Sequence, residues 1–247
     1  MSVIEGTAVH NVVRLHYLDA HADGRDELPI VIVPGLSERA EEYVGLMRRL
    51  SPRRCVAISP RGRGRSDAPA RGYGLDDHAG DVLAVVRQAT LARCVLVGFS
   101  RGVPYAIRFA SENRERVAGL VLGDYAAVHT RLPEEWTRKF LAGRWRGTPV
   151  PERVPAAVVE AIQRESAQVP LWDELRSVGC PVLVVGGRRG GLLAGKDVKR
   201  YRRAGIANLR VAWLDTGHDL LAPDEGAFVD VLEGFLRDIP LAGSRPG

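Results

Sequence analysis

The sequence predicts an α/β fold: a mostly parallel sheet of about eight strands with helices on both faces. Short apolar runs alternate along the chain with segments of helical periodicity. A short, continuously apolar run is typical of a strand buried on both faces, and alternation of such strands with helices indicates parallel pairing. The chain has 247 residues, 45% of them hydrophobic, which is enough for one large domain of this class.

Six apolar runs are the candidate parallel strands. They are Ile30–Val33, Cys55–Ser59, Cys94–Val97, Gly119–Leu122, Pro181–Val185 and Leu209–Leu214. Residues 9–18 differ from these runs, and we expect them to form an antiparallel pair at the sheet edge that turns near Asn11.

Apolar residues spaced at i, i+3, i+4 and i+7 predict helices between and after these strands. The spacing occurs over Tyr43–Leu50, Val82–Ala89 and Phe228–Leu236. Ser37 is a residue type that caps helices, and its position predicts that it caps the first of them.

Residues 125–177 interrupt the alternation, because they contain three helical patches and no strand-like run. The patches lie near 134–141, 156–166 and 171–178. We expect a small helical lid here, inserted into a core formed by residues 1–124 and 178–240, with a disordered tail at 241–247. Trp136 and Phe140 lie one turn apart in the first patch, a spacing that suits packing of the lid, lining of a pocket, or both.

Composition and charge narrow the function classes. No apolar run approaches the roughly 20 residues of a membrane-spanning helix, and residues 1–12 lack the features of an export signal. Cys55, Cys94 and Cys180 are odd in number, begin apolar runs and show no metal-ligand spacing. We therefore expect a cytoplasmic protein with no metal and no membrane association.

The formal charge is +5, and Arg61-Gly-Arg-Gly-Arg65 could form a basic patch for nucleic acid. However, acidic residues are interspersed throughout the chain, and no aromatic residues lie between these arginines to stack on bases. We therefore expect a small-molecule substrate rather than a nucleic-acid partner.

The strongest motif is Gly98-Phe99-Ser100-Arg101-Gly102, which follows a predicted strand and precedes a helical pattern. A serine in G-x-S-x-G in this setting is typical of a nucleophile elbow, a tight turn that exposes the hydroxyl above the sheet. The glycines are needed because strand and helix backbones approach too closely for a Cβ. The Arg101 amide, near the helix N-terminus, would face a developing oxyanion.

With this motif the chain resembles the α/β-hydrolase superfamily over residues 9–238. Three further marks support the resemblance. Arg61–Asp67 is similar to the family turn R-G-x-G-x-S-D, Pro34-Gly35 follows the first parallel strand, and Gly217-His218 follows the last. The arginine cluster thereby gains a structural interpretation as a family loop.

The resemblance implies a histidine base and an acid beside the serine. His218, on the loop after the final strand, is in a position to reach Ser100 across the top of the sheet. The family's usual aspartate after the strand at 181–185 is missing, because arginines follow Gly187. Some members carry the acid one strand earlier, a position that Asp124 occupies here. Asp197, or no acid at all, remains the alternative.

The second oxyanion donor implied by the family is the amide of Leu36, although proline and glycine stand where His-Gly is more common. The glycine-rich stretch 186–191 lacks the Gly-Lys-Ser/Thr ending of a phosphate-binding loop.

These features predict a cofactor-independent serine hydrolase that cleaves an ester, thioester or amide of a small apolar substrate through an acyl-enzyme. A serine nucleophile argues against dehalogenase or epoxide hydrolase chemistry, which requires an aspartate in this fold. The predicted pocket walls, besides Leu36, are Phe99, Trp136, Phe140, Leu192 and Leu193.

Two alternatives remain open. The scaffold could serve a carbon–carbon bond hydrolase, lyase or cyclase of natural-product metabolism, with Arg101, Arg188 and Arg189 binding an anionic substrate. It could also be a non-catalytic ligand-binding member, an interpretation favoured by the missing aspartate after Val185.

Overall fold

The computed structural model describes residues 2–21, 27–223 and 225–239. Its central feature is an eight-stranded sheet, which confirms the predicted fold class. The strands of this sheet are β1 (Ser2–His10), β2 (Val13–His21), β3 (Ile30–Val33), β4 (Cys55–Ile58), β5 (Cys94–Phe99), β6 (Val117–Gly123), β11 (Val182–Gly187) and β12 (Leu209–Leu214). Their spatial order is β1-β2-β4-β3-β5-β6-β11-β12.

The sheet is antiparallel only at its first edge. β1 pairs with β2 from Ser2 opposite His21 to His10 opposite Val13, and β2 is antiparallel to β4. The connection turns at Asn11, which has a φ of 55°. The predicted edge pair is thus confirmed, and it is longer than the segment 9–18. The remaining pairings are parallel.

Helices cover both faces of the sheet. They are α1 (Val44–Arg49), α2 (Leu75–Gln88), α3 (Gly102–Glu112), α4 (Glu134–Leu141), α5 (Val150–Arg153), α6 (Ala156–Arg164), α7 (Trp172–Ser177), α8 (Gly195–Arg203) and α9 (Gly226–Leu236). Alternate residues of β3 belong to two different cores: Val31 and Val33 pack with α2 and α3, whereas Ile30 and Ile32 pack with α1 and α9. Because successive strand side chains point to opposite faces, the two cores lie on opposite sides of the sheet.

The predicted cap of the first helix is wrong. A 3-10 turn at Ala40–Tyr43 precedes α1, and Tyr43 rather than Ser37 stands at the helix N-terminus, with no side-chain capping bond. Residues 35–38 instead form a turn in which Glu38 bonds back to the amide of Gly35, so the helix begins later than the residue types suggest.

The segment between β6 and β11 carries four helices, α4 to α7, where three helical patches are predicted. It also holds four short strands that the sequence does not reveal: β7 (Val128–His129), β8 (Arg144–Trp145), β9 (Thr148–Pro149) and β10 (Val169–Pro170). They form two-residue antiparallel pairs, β7 with β10 and β8 with β9. Pairs this short leave no apolar run in the sequence.

Two further expectations concern the C-terminal tail and membrane-spanning helices. The predicted tail at 241–247 lies outside the described residues. Among the described residues, no helix combines the length and apolar character needed to cross a membrane.

The arginine cluster contributes to the interior rather than to a basic surface. Arg61 is buried and pairs with the Asp81 carboxylate, and Arg63 is only 1% exposed. Arg65 is the exposed member and pairs with Glu5.

Candidate active site

Ser100 lies on the sharp turn between β5 and α3. Its φ is 52°, in the left-handed region that non-glycine residues rarely adopt. Two backbone hydrogen bonds hold it there: the Ser100 amide donates to the Gly123 carbonyl at 2.8 Å, and the Val103 amide donates to the Ser100 carbonyl at 2.9 Å. This strained turn presents the hydroxyl at the carboxyl edge of the sheet.

The two glycines of the motif are required by close backbone contacts. A Cβ at Gly102 would lie 2.1 Å from the carbonyl oxygen of Val33, and one at Gly98 would lie 2.9 Å from the carbonyl oxygen of Gly102. Both distances are shorter than real Cβ contacts, so α3 can pack this closely against β3 and β5 only without side chains at these positions.

His218 lies on the loop after β12 and reaches Ser100 across the sheet. Its Nε2 is 2.9 Å from the Ser100 Oγ. The imidazole stacks on the Phe99 ring, with centroids 5.0 Å apart, and the Trp145 ring lies 5.5 Å away. These aromatic contacts limit the orientations that the imidazole can take.

Asp124 follows β6 and is fully buried, with a φ of 48°. Its Oδ2 is 2.7 Å from Nδ1 of His218. The same carboxylate accepts backbone hydrogen bonds from the amides of Gly187, Leu192 and Leu193. Burial alone would raise the pKa of Asp124, but the hydrogen bonds from His218, Leu192 and Gly187 outweigh it, so the pKa lies below its ordinary value.

This carboxylate explains the glycine-rich stretch after β11. A Cβ at Gly191 would lie 2.5 Å from Oδ1 of Asp124, so the loop must lack a side chain there to wrap around the acid. His218 therefore has a carboxylate partner although arginines follow Gly187. Asp197, the alternative acid, accepts a hydrogen bond from the Ala194 amide at the start of α8.

The two predicted oxyanion donors lie beside Ser100. Leu36 lies in the turn after β3, and Arg101 immediately precedes α3. Within residues 27–223, neither backbone amide donates a hydrogen bond to another group of the chain. A Cβ built on Gly35 would lie 3.2 Å from the Cβ of Ser100, so the turn after β3 packs directly against the serine.

A cleft opens above Ser100. It is lined by Gly35, Leu36, Ser37, Glu38, Phe99, Ser100, Phe140, Trp145 and His218. Of the predicted walls, Leu36, Phe99 and Phe140 therefore line the cleft.

The structure places the other three predicted wall residues elsewhere. Trp136 stacks behind Phe140, with ring centroids 4.6 Å apart. Leu192 is 55% exposed, and Leu193 is buried in the core next to α8. Leu192 and Leu193 contact the site through their backbone amides on Asp124, because that loop is drawn around the carboxylate.

Trp145 and Glu38 line the cleft but are not among the predicted wall residues. Trp145 comes from the β8–β9 hairpin, and its indole Nε1 donates to Oε1 of Glu38 at 3.2 Å. Oε2 of Glu38 accepts hydrogen bonds from the Gly35 amide at 2.8 Å and the Tyr43 hydroxyl at 2.7 Å. Burial raises the pKa of Glu38 above its ordinary value, although Arg146 opposes the shift. Only tertiary contacts reveal these two residues, since 107 positions separate them.

The three arginines that the sequence suggests for an anionic substrate lie outside the cleft over Ser100. The Arg101 guanidinium is buried and donates to the Thr130 carbonyl and to Nε2 of His129. Arg189 pairs with Asp215 at the surface, and Arg188 is exposed. None of the three lines the cleft over Ser100 as the described residues form it.

Residues 29–148 match the family model described as alpha/beta hydrolase fold. A 2-(acetamidomethylene)succinate hydrolase of Mesorhizobium japonicum is 32% identical over 174 residues, 63% of this chain and 60% of that protein's length. An N-formylmaleamate deformylase of Pseudomonas putida is 27% identical over 97% of this chain and 98% of that protein. The solved structure of an esterase from Exiguobacterium antarcticum has a TM-score of 0.81 at 19% identity, over 95% of this chain and 100% of that one. At this identity the structural likeness concerns the fold.

Proposed function

Because the chain belongs to the α/β-hydrolase superfamily, we propose that it is a serine hydrolase that acts on an ester, thioester or amide of a small, apolar acyl compound. Ser100 is the nucleophile, His218 the general base and Asp124 the acid that orients it. The observation that carries the proposal is the continuous chain of hydrogen bonds from Ser100 Oγ through the imidazole to Asp124. Relatives named as hydrolases of small molecules support it.

In the first half-reaction, Ser100 Oγ attacks the acyl carbonyl carbon while Nε2 of His218 takes the hydroxyl proton. The carbonyl electron pair moves onto oxygen, where the amides of Leu36 and Arg101 stabilise the oxyanion. Collapse of this intermediate breaks the bond to the leaving group, which receives the proton from Nε2. The acyl group is then covalently attached to Ser100.

In the second half-reaction, a water molecule attacks the acyl-enzyme and gives its proton to Nε2 of His218. The bond between the carbonyl carbon and Ser100 Oγ breaks, the proton returns to Oγ, and the carboxylic acid leaves. The Asp124 carboxylate holds Nδ1–H throughout, which keeps Nε2 free to accept a proton and stabilises the imidazolium that forms. All of these steps use groups of this chain and water.

Residues 125–177 are proposed to act as the lid of the cleft. Phe140 from α4 and Trp145 from the β8–β9 hairpin both face Ser100 from this segment. Together with Leu36 and Phe99 they form a largely apolar wall, which supports an apolar acyl group as the preferred substrate.

Intact mass after exposure to a small fluorophosphonate tests the proposal. We expect a single adduct on Ser100 that is absent in Ser100→Ala, because only an activated serine displaces fluoride from this probe. Thr216→Ala provides a matched control, since it removes a hydroxyl outside the cleft lining and should label like the wild type. A protein that stays unlabelled, or that labels equally in Ser100→Ala, would show that Ser100 is not an activated nucleophile.

A further inference from the structure

The charge of the cleft wall is opposite to that of the whole protein. The chain carries 35 lysine and arginine residues against 30 aspartate and glutamate residues. Among the described residues that line the cleft there is no lysine or arginine, whereas one carboxylate, Glu38, is present. The wall therefore offers no cation to pair with an anionic substrate.

Glu38 is fixed in this wall. Its side chain is only 2% exposed, and hydrogen bonds from Gly35, Tyr43 and Trp145 hold both carboxylate oxygens. Gly35 lies between this carboxylate and the serine, because a Cβ built on it would lie 2.9 Å from Oε2 of Glu38 and 3.2 Å from the Cβ of Ser100. A buried carboxylate in this position acts on the substrate through its field, because water screens it poorly.

The charges around Glu38 do not cancel. Arg146 lies 3.5 Å from Glu38, but it also pairs with Glu42 at 3.4 Å and with Asp219 at 2.7 Å. Arg153 pairs with Glu42 as well. Asp124, which pairs with His218, adds a further carboxylate. The surroundings of the site thus hold four carboxylates, those of Glu38, Glu42, Asp219 and Asp124, but two guanidinium groups, those of Arg146 and Arg153.

We propose that the cleft selects uncharged acyl groups and rejects acyl groups that carry a carboxylate, with Glu38 as the specificity-determining residue. The inference rests on the proposed hydrolase function and names its substrate class. A second carboxylate brought into this wall would lose its hydration, meet like charge and find no cationic partner.

Two 4-nitrophenyl esters of the same acyl skeleton test the proposal. Mono-4-nitrophenyl glutarate carries a free carboxylate and is anionic. In methyl 4-nitrophenyl glutarate this carboxylate is a methyl ester, so the compound is neutral. The buffer-only rate is subtracted for each. We expect kcat/KM to favour the neutral ester by about tenfold or more, which corresponds to about 1.4 kcal/mol. The difference should appear chiefly in KM, because the repulsion acts when the acyl group binds.

Glu38→Gln should reduce this preference severalfold by accelerating the anionic ester. Glu41→Gln is the matched control, because it makes the same change three positions further along the chain, in the 3-10 turn Ala40–Tyr43, at a residue outside the cleft lining. It should leave the ratio near that of the wild type. If Glu38→Gln fails to fold, the wild-type ratio decides by itself.

Labelling of Ser100 distinguishes a failure of the charge selectivity from a failure of the proposed hydrolase function. If the fluorophosphonate labels Ser100 and the anionic ester is cleaved as fast as the neutral one, the charge selectivity is wrong and the hydrolase function stands. If Ser100 stays unlabelled and neither ester is cleaved, the proposed function fails and the selectivity falls with it.

Discussion

The carboxylate of Asp124 lies 2.7 Å from Nδ1 of His218, although 94 positions separate them in the chain. The pair joins the end of β6 to the loop after β12, with β11 between them in the sheet. The acid therefore reaches the histidine over the neighbouring strand, and the loop after β11 closes around it with three backbone amides.

Asp124→Asn should lower kcat by about 10³- to 10⁴-fold, because the amide cannot hold the imidazole in the tautomer with Nε2 free. Unlike a purely orienting acid, Asp124 also accepts three backbone hydrogen bonds. The variant should therefore also melt several degrees below the wild type, since an amide has one acceptor oxygen.

Steady-state kinetics and thermal unfolding check both effects. Asp197→Asn is the control, because Asp197 caps α8 and bonds to Ala194. A loss of turnover in Asp197→Asn comparable to that in Asp124→Asn would reject the assignment of Asp124 as the acid.

Gly102→Ala should prevent the elbow from forming. The added Cβ would lie 2.1 Å from the Val33 carbonyl oxygen and 2.6 Å from that of Pro34, both backbone atoms. We expect a destabilisation above about 3 kcal/mol, or no folded protein. Gly195→Ala adds the same methyl group where nothing lies within 4 Å, so its urea unfolding curve should match the wild type. A folded, fully active Gly102→Ala would contradict the close packing of Gly102 against the Val33 and Pro34 carbonyl groups.

Arg146→Asn should lower kcat/KM by about tenfold through misplacement of the groups around His218. The Arg146 guanidinium holds Asp219, the neighbour of His218, with two hydrogen bonds of 2.7 and 2.8 Å. Asparagine tolerates the φ of 47° at this position, so the change removes the long side chain without new backbone strain.

Hydrogen exchange of the β8–β9 hairpin should accelerate in the same variant, because the hairpin loses its ion pairs to the core. Arg144→Gln is the companion variant, since the bond that the Arg144 side chain makes among the described residues stays within the hairpin, to the Gly147 carbonyl. Equal kinetics in Arg146→Asn and Arg144→Gln would mean that the Asp219 contact has no positioning role.

Stability should fall as the pH drops from about 6.5 to about 4, and His129 should contribute to the fall. Burial and the nearby Arg101 guanidinium lower the pKa of His129 from 6.5 to about 4. In this interval the unfolded chain binds a proton at His129 that the folded protein does not, so acid favours unfolding. The full effect is about 3 kcal/mol at the acid end of the interval.

Urea unfolding at several pH values measures this dependence. His129→Gln retains a donor and an acceptor but has no group that titrates, so its stability should depend less on pH over the interval. Burial, with Arg63 nearby, also lowers the pKa of His78, so part of the dependence should remain. An unchanged slope in His129→Gln would show that His129 does not contribute.

The sequence by itself determined the architecture and the order of the core strands along the chain. Apolar runs and helical spacing are local signals, and strands such as Ile30–Val33 and Leu209–Leu214 have the predicted bounds. The local G-x-S-x-G motif selected Ser100, whereas the resemblance to the α/β-hydrolase superfamily selected His218 and Asp124 by their positions after predicted strands. Their mutual distances are not local quantities, and they come from the structure alone.

Tertiary structure decided the composition of the cleft. Glu38 and Trp145 meet there across 107 positions, and neither stands in a pattern that predicts the contact. Leu192 and Leu193 have apolar side chains typical of pocket walls, yet their backbone amides serve the Asp124 carboxylate while the side chains point elsewhere. Which atoms of a loop face a site depends on how buried polar groups find their hydrogen-bond partners, and that is settled only when distant segments pack together.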